Sequence, residues 1–381
     1  MKAIAVCLTF LAVLLGCAPR AVHTSVTTPS PAPAMVTPQV PSPAARGLSP
    51  EEAAWAQVVD AAKKEGKVTA YSFSLIGDLG KAVPKAFGDK YGIKMEIVSG
   101  FGSVLIERLK SERVARKNTG DFFDSAPTLL AIAKDSGLTA SVGNLPVLAE
   151  KDVWNVPPRL DIEGQIIIIS PTVASMYVNT SLVKAGQEPK SYRELLDSKW
   201  KGKIGMTSPT VAPRDNYSYV SRQQLGLDDE YWRQLGKQDI RMAPSVRDAD
   251  NMLVRGEVSV LYAASAITVG ALIKQGAPIK AVEPEEGVII TPGVAISLVK
   301  DAPHPNASRL FINWLFTAEG QRLWSEQTGT LSVRKDVPDF QPPAAILPMK
   351  KVVYHSLNDV LELAKVQREG TLAKLLGLDV K

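Results

Sequence analysis

The sequence predicts an α/β fold of two lobes with a helical C-terminal end, and three observations predict it. Strand and helix candidates alternate from residue 66 to residue 137, the spacing of βαβ units whose sheet is covered by helices. The alternation returns between residues 203 and 284 with unrelated sequence. Residues 49–381 are long enough for two lobes and for a core that needs no disulfides.

The start of the chain is set apart from this. Residues 1–16 carry one positive charge, Lys2, and then an unbroken apolar run, AIAVCLTFLAVLLG. That run is too short to span a bilayer and has the form of an export signal. It ends in Leu14-Leu15-Gly16-Cys17, which resembles a lipobox, the bacterial lipoprotein signal whose cysteine becomes the lipidated first residue. Cys17 is therefore the expected membrane-lipid anchor, and an exported, anchored protein is the expected localisation. The only other cysteine is Cys7, inside the signal, so the mature chain has no disulfide.

Residues 17–48 read as a tether: from 18 onward they are rich in proline, serine and threonine and lack aromatics. At about 3.1 Å per residue these ~30 residues reach roughly 90 Å. Folding is expected to begin at Ser49-Pro50-Glu51-Glu52, where serine caps a helix, proline takes its first position and glutamate closes a capping box.

Strands are expected at 66–72 (GKVTAYS), 93–99 (IKMEIVS) and 121–126 (DFFDSA), with helices at 78–91, 103–117 and 127–137. The spacing predicts a mainly parallel sheet. Gln165-IIII-Ser170 is the most apolar short run of the mature chain, and ASMYVN follows it closely. In the second half, strands are expected at 203–208, 258–264 and 279–284, and Ser245-Val246-Arg247-Asp248 reads as an acidic capping box. GVIITPGVAISLV then leads into a late strand–helix pair, GVAISLVKDAPHPNASRLFINWL at 293–315. Asn306 is its candidate N-cap, and Leu310, Phe311, Trp314 and Leu315 share one helix face.

Charge adds little. Lys and Arg number 44 against 39 Asp and Glu, and clusters such as Arg113, Arg116 and Lys117 read as solvated helix ends. No nucleic-acid module and no further membrane span is apparent. The histidines, His23, His304 and His355, lack ligand-like spacing, so no metal and no cofactor is expected. The folded part has no cysteine and no evident nucleophile and base pair, so no enzyme is expected.

Three segments, 176–209, 253–265 and 293–337, resemble in order the extracellular solute-binding proteins of ABC importers with the type II periplasmic-binding-protein fold. The branch is that of ferric-iron binders and related small-anion or polyamine receptors. The resemblance implies a hinge crossed twice: lobe 1 from 49–168 and 293–381, lobe 2 from 169–292. Residues near 165–173 would cross outward, and 293–315 would return to complete lobe 1.

In such a fold, solutes meet loops at the carboxyl ends of the strands, where helices begin. On lobe 1 those positions are Ser72 and Ser74, Gly102 and Ser103, and Ser125. On lobe 2 they are Ser208 and Thr210, with Val211 and Ala212, then Arg214, and Ser265 after Ala264. Gly102 lets a ligand approach the backbone, and Arg214 would offer a fork to a carboxylate or phosphate. Tyr177, Tyr217 and Tyr219 either face the cleft or pack in the core.

Departures from the branch matter too. The adjacent tyrosines of the iron binders are replaced by Ala266 and Ile267, and the histidine expected after the first strand by Ser72-Phe73-Ser74. The resemblance therefore implies a monomeric subunit that carries a small polar solute, an organic anion or phosphonate-like compound, to a membrane permease. The alternatives are a lipid-anchored ligand sensor without transport and a ferric-iron binder with other ligands.

Overall fold

The computed structural model describes residues 48–210 and 214–379. The expected signal, Cys17 and the tether up to residue 47 lie outside the described residues, as do Val211 and Ala212. Helix α1 (Pro50–Glu65) starts as the capping box requires. Ser49 Oγ accepts the Glu52 N–H at 3.2 Å, and Glu52 Oε2 accepts the Ser49 N–H at 2.8 Å.

After α1 come β1 (Lys67–Ser72), α2 (Leu79–Tyr91), β2 (Lys94–Ser99), α3 (Gly102–Val114), β3 (Phe122–Ser125) and α4 (Pro127–Asp135). Strand β1 lies between β2 and β3 and is parallel to both, with Ser72 beside Ser99 and Asp124. Parallel pairing sets the carboxyl ends of the three strands, and the starts of α3 and α4, along one edge. The short β4 (Thr139–Ala140) follows.

Two long strands join the halves of the molecule. Strand β5 (Ile167–Asn179) unites both apolar runs that the sequence shows separately, and every residue of it but Thr172 is buried. The second half supplies β6 (Ile204–Thr207), α5 (Asn216–Val220), α6 (Arg222–Leu225), α7 (Asp229–Gly236), β7 (Arg241–Ala243), α8 (Val246–Val254), β8 (Val260–Ser265), α9 (Ala266–Lys274) and β9 (Ile279–Val282). Strand β10 (Val288–Val299) then returns. It pairs with β5 along both strands, and its last residues pair with β3, Ala295 beside Ser125. The far end of β5 pairs instead with β8 and β9.

The sheet order is β2-β1-β3-β10-β5-β8-β6-β7. The expected mainly parallel sheet is therefore corrected to a mixed one. Pairs among β1, β2 and β3 and among β6, β7 and β8 are parallel, whereas β5 and β10 are antiparallel to each other, and β10 to β3 and β5 to β8. One strand leaves the first group and another returns to it, so they run in opposite directions.

Helices α10 (Pro305–Leu315) and α11 (Ala318–Thr328) pack on α1 and α2. Leu310, Phe311, Trp314 and Leu315 are buried as expected, and Phe311 stacks on Phe122 with ring centroids 4.7 Å apart. The late helix thus fills a core begun some 200 residues earlier in the chain, between Phe122 and Phe311. Asn306 is not its N-cap: proline at 305 already occupies the first helical position. The Glu65 carboxylate, at the end of α1, instead accepts the N–H groups of Asn306 at 3.3 Å and Ala307 at 2.7 Å.

Strand β11 (Val352–Tyr354) joins the start of β10, and α12 (Leu357–Glu369) and α13 (Thr371–Leu375) close the chain. These last helices pack on α5 and α7, with α12 also touching α4. The whole of 293–381 was expected to lie with the first strands; its final stretch lies against second-half helices. Around Trp232, rings of Tyr219, Tyr231 and Tyr262 sit within 5.2–5.8 Å and form the second aromatic core.

Candidate solute site

On the first edge, Ser72 is buried at the end of β1, and its Oγ accepts the Leu75 N–H at 2.8 Å. Ser74 turns toward Asp124: its N–H donates to Asp124 Oδ1 at 3.0 Å and its hydroxyl donates to the same oxygen. Both serines therefore order the loop around a buried carboxylate. Burial pushes the Asp124 carboxyl up to about 6, against the opposing effect of the Ser72, Ser74 and Phe73 hydrogen bonds. Its Oδ2 has no partner among the described residues. Sequence reading missed Asp124, although an acid closing the apolar run FFD is the signal for it.

Helix α3 starts directly at Gly102, where Phe101 provides no side-chain cap, and Ser103 is exposed on its first turn. Helix α4 starts at Pro127 after Ala126, again without a side-chain cap. A Cβ on Gly102 would stand 2.2 Å from Ser125 Oγ, so the glycine permits the two helix starts to meet across Ser125. The first turns of both helices carry partial positive charge, although Pro127 has no N–H of its own to donate.

The second edge is tied together more tightly. Ser208 N donates to Ala243 O at 2.9 Å, and its hydroxyl lies 3.0 Å from that of Thr210. Asn216 Nδ2 donates to Pro209 O at 2.8 Å, and Thr207 N to Asp215 Oδ2 at 2.9 Å. Arg214 is only 5% exposed, and its Nη1 lies 2.6 Å from Asp250 Oδ1 of α8. A buried carboxylate thus holds one corner of the expected fork, while Arg214 Nε and Nη2 have no partner among the described residues. Burial pushes the neighbouring Asp215 carboxyl up to about 7, opposed by the Arg214 charge and the Thr207 N–H.

Ser265 caps α9, its Oγ accepting the Ile267 N–H at 3.2 Å. Tyr177 is fully buried, with its hydroxyl 3.5 Å from Ala345 O. Tyr219 is likewise a core ring beside Trp232. Among the described residues, no group of three His, Cys, Asp or Glu is placed to hold a metal ion.

The middle of β10 is irregular. Its register against β5 shifts between Thr291 and Val294, and Gly293, at φ +45, presses so closely on Ser170 O that a Cβ would stand 2.2 Å away. Beside this bend lies a cavity of about 180 Å³. The start of α4, Tyr217, Thr291 and His355 line it, and one face of α12 forms a further wall. His355 is buried, its Nε2 is 2.6 Å from Ser221 Oγ, and its ring stands edge-on to Tyr217 at 5.6 Å. Sequence reading passed over it for lack of ligand spacing, since its partners sit on α5 and β10.

Two groups of parallel strands that share two crossing strands, with helix starts along both edges, make up the architecture of the two-lobed periplasmic binding proteins. The chain belongs to the bacterial extracellular solute-binding proteins, whose family model matches residues 82–348. The family is one of solute-binding proteins. Over 264 residues the chain is 26% identical to a Salmonella typhi protein named putative 2-aminoethylphosphonate-binding periplasmic protein, spanning 66% of this chain and 73% of that one. Iron-bound HitA from Pseudomonas aeruginosa is similar in fold, with a TM-score of 0.60 at 21% identity over 82% of this chain and 99% of that one. So is AfuA from Actinobacillus pleuropneumoniae with fructose-6-phosphate bound, at 0.56 and 18% over 82% and 97%.

Proposed function

We propose that this chain is the extracytoplasmic solute-binding component of an ABC importer, capturing a small organic anion or phosphonate-like compound between two lobes and delivering it to a membrane permease. The observation that carries the reading is the meeting of two uncapped helix starts across Gly102 and Ser125. Such N–H groups favour an anionic oxygen without a paired cation. The carboxyls of Asp124 and Asp215, buried near the two edges, favour, when ionised, a solute that also bears an ammonium. A zwitterion such as the 2-aminoethylphosphonate of the relative's name combines the two charges.

In this reading lobe 1 comprises residues 49–168 with β10's second half, α10 and α11, and lobe 2 comprises 169–292 with α12 and α13. The crossing strands β5 and β10 serve as the hinge. Ser103, Ser125, Ser208, Thr210 and Ser265 meet the solute, while Ser72, Ser74 and Arg214 hold the loops that carry them. The chain acts as a monomer held to the membrane by lipidated Cys17. Small-angle scattering tests the closure: addition of 2-aminoethylphosphonate should reduce the radius of gyration. Calorimetrically verified binding without compaction would reject a closing hinge.

A further inference from the structure

We infer that the cavity beside the β10 bend is a binding site for a small uncharged organic molecule that carries a hydroxyl group. Its volume of about 180 Å³ exceeds the ~150 Å³ of an engineered cavity that takes up benzene, so an occupant of about six to eight heavy atoms fits. The walls divide by chemistry. Pro292, Val360 and Leu363 are apolar, whereas Thr128, Thr291 and Gln367 offer neutral hydrogen-bonding groups. Among the described residues no Asp, Glu, Lys or Arg lines the space, so a charged ligand would meet no side chain of opposite charge there, whereas a neutral one loses nothing by it.

His355 fixes the functional group. Only 5% of it is exposed, and burial lowers its proton affinity, opposed by the Asp359 charge and the Tyr217 backbone. Nε2 is engaged by Ser221 Oγ, and Nδ1 has no partner among the described residues. A buried ring nitrogen without a partner is costly. Which nitrogen carries the proton depends on the tautomer, and a hydroxyl meets either case because it both donates and accepts. The inference holds whether or not the protein serves import, since it rests on the lining of this cavity alone.

Phenol, with a hydroxyl and an apolar ring, is the probe. The protein has three histidines, His23, His304 and His355, so ring nitrogen signals are assignable in an NMR titration with His355→Gln as reference. Phenol should shift the His355 signals saturably and leave those of His304 in place. Toluene, which lacks the hydroxyl, should bind about tenfold more weakly. Ala364, exposed at the mouth, tolerates a larger side chain, and Ala364→Trp should abolish the shift. Absence of a saturable shift, equal binding of toluene, or an unchanged titration in Ala364→Trp would each overturn the inference.

Discussion

The backbone of Gly102 lies against the side chain of Ser125, so closely that a methyl group on the glycine would stand 2.2 Å from Ser125 Oγ and 2.6 Å from Leu129 Cδ1. Gly102→Ala must push α3 away from α4, a cost of about 1–3 kcal/mol for overpacking. Ser103→Ala, on an exposed position one residue on, should stay within about 0.5 kcal/mol of the parent. Urea unfolding midpoints of the two variants check the contrast.

Arg214 and Asp250 form a buried pair at 2.6 Å. Removing one partner strands a charge, so Arg214→Met should lower stability by about 3–5 kcal/mol. The double variant Arg214→Met with Asp250→Leu should regain more than half of that, because no charge is left behind. A double-mutant cycle by chemical denaturation measures it.

The raised carboxyls of Asp215, about 7, and Asp124, about 6, set a pH dependence opposite to that of surface acids. Their unfolded values lie near 3.9, so between about pH 4 and 7 the folded state holds protons that the unfolded state has released. Stability from these two groups is therefore full below about pH 4 and falls as pH rises through 6 and 7. Asp215→Asn keeps an acceptor for the Thr207 N–H and removes the titration. Its urea midpoint, relative to the parent, should rise progressively from about pH 4 to about pH 7 and stay level below and above that window.

Phe311 stacks on Phe122 and meets Phe87 edge-on at 5.3 Å. Phe311→Ala should cost about 3–5 kcal/mol. Glu65→Ala, which uncaps α10, should cost about 1 kcal/mol. Thermal or urea unfolding distinguishes the two scales, and equal losses would mean that the late helix is not part of the main core.

Local signals carried much of this fold. The capping residues Ser49 and Ser245 stand where the sequence places them, because a cap is decided within four residues. The apolar face of α10 is legible for the same reason. Asn306 misled because its competitor, Glu65, lies 241 residues away in sequence. The pairing of Arg214 with Asp250 on α8 and the cover that β8 and β9 give the strand of Tyr177 likewise come from distant elements. Asp124 and His355 owe their character to burial by distant elements, which no short window of sequence contains. The mixed sheet was hidden likewise, since the direction of a strand against its neighbours follows from topology and not from periodicity.

Thermal unfolding of the protein against 2-aminoethylphosphonate, inorganic phosphate, fructose-6-phosphate and ferric citrate tests the proposed solute class most directly. A ligand at a hundred times its dissociation constant stabilises by about 2.7 kcal/mol. The midpoint should rise with 2-aminoethylphosphonate, inorganic phosphate or fructose-6-phosphate, and the rise should shrink sharply in Gly102→Ala, where the two helix starts are forced apart. A rise with ferric citrate alone, or one that Gly102→Ala leaves intact, would contradict an anion site built on α3 and α4.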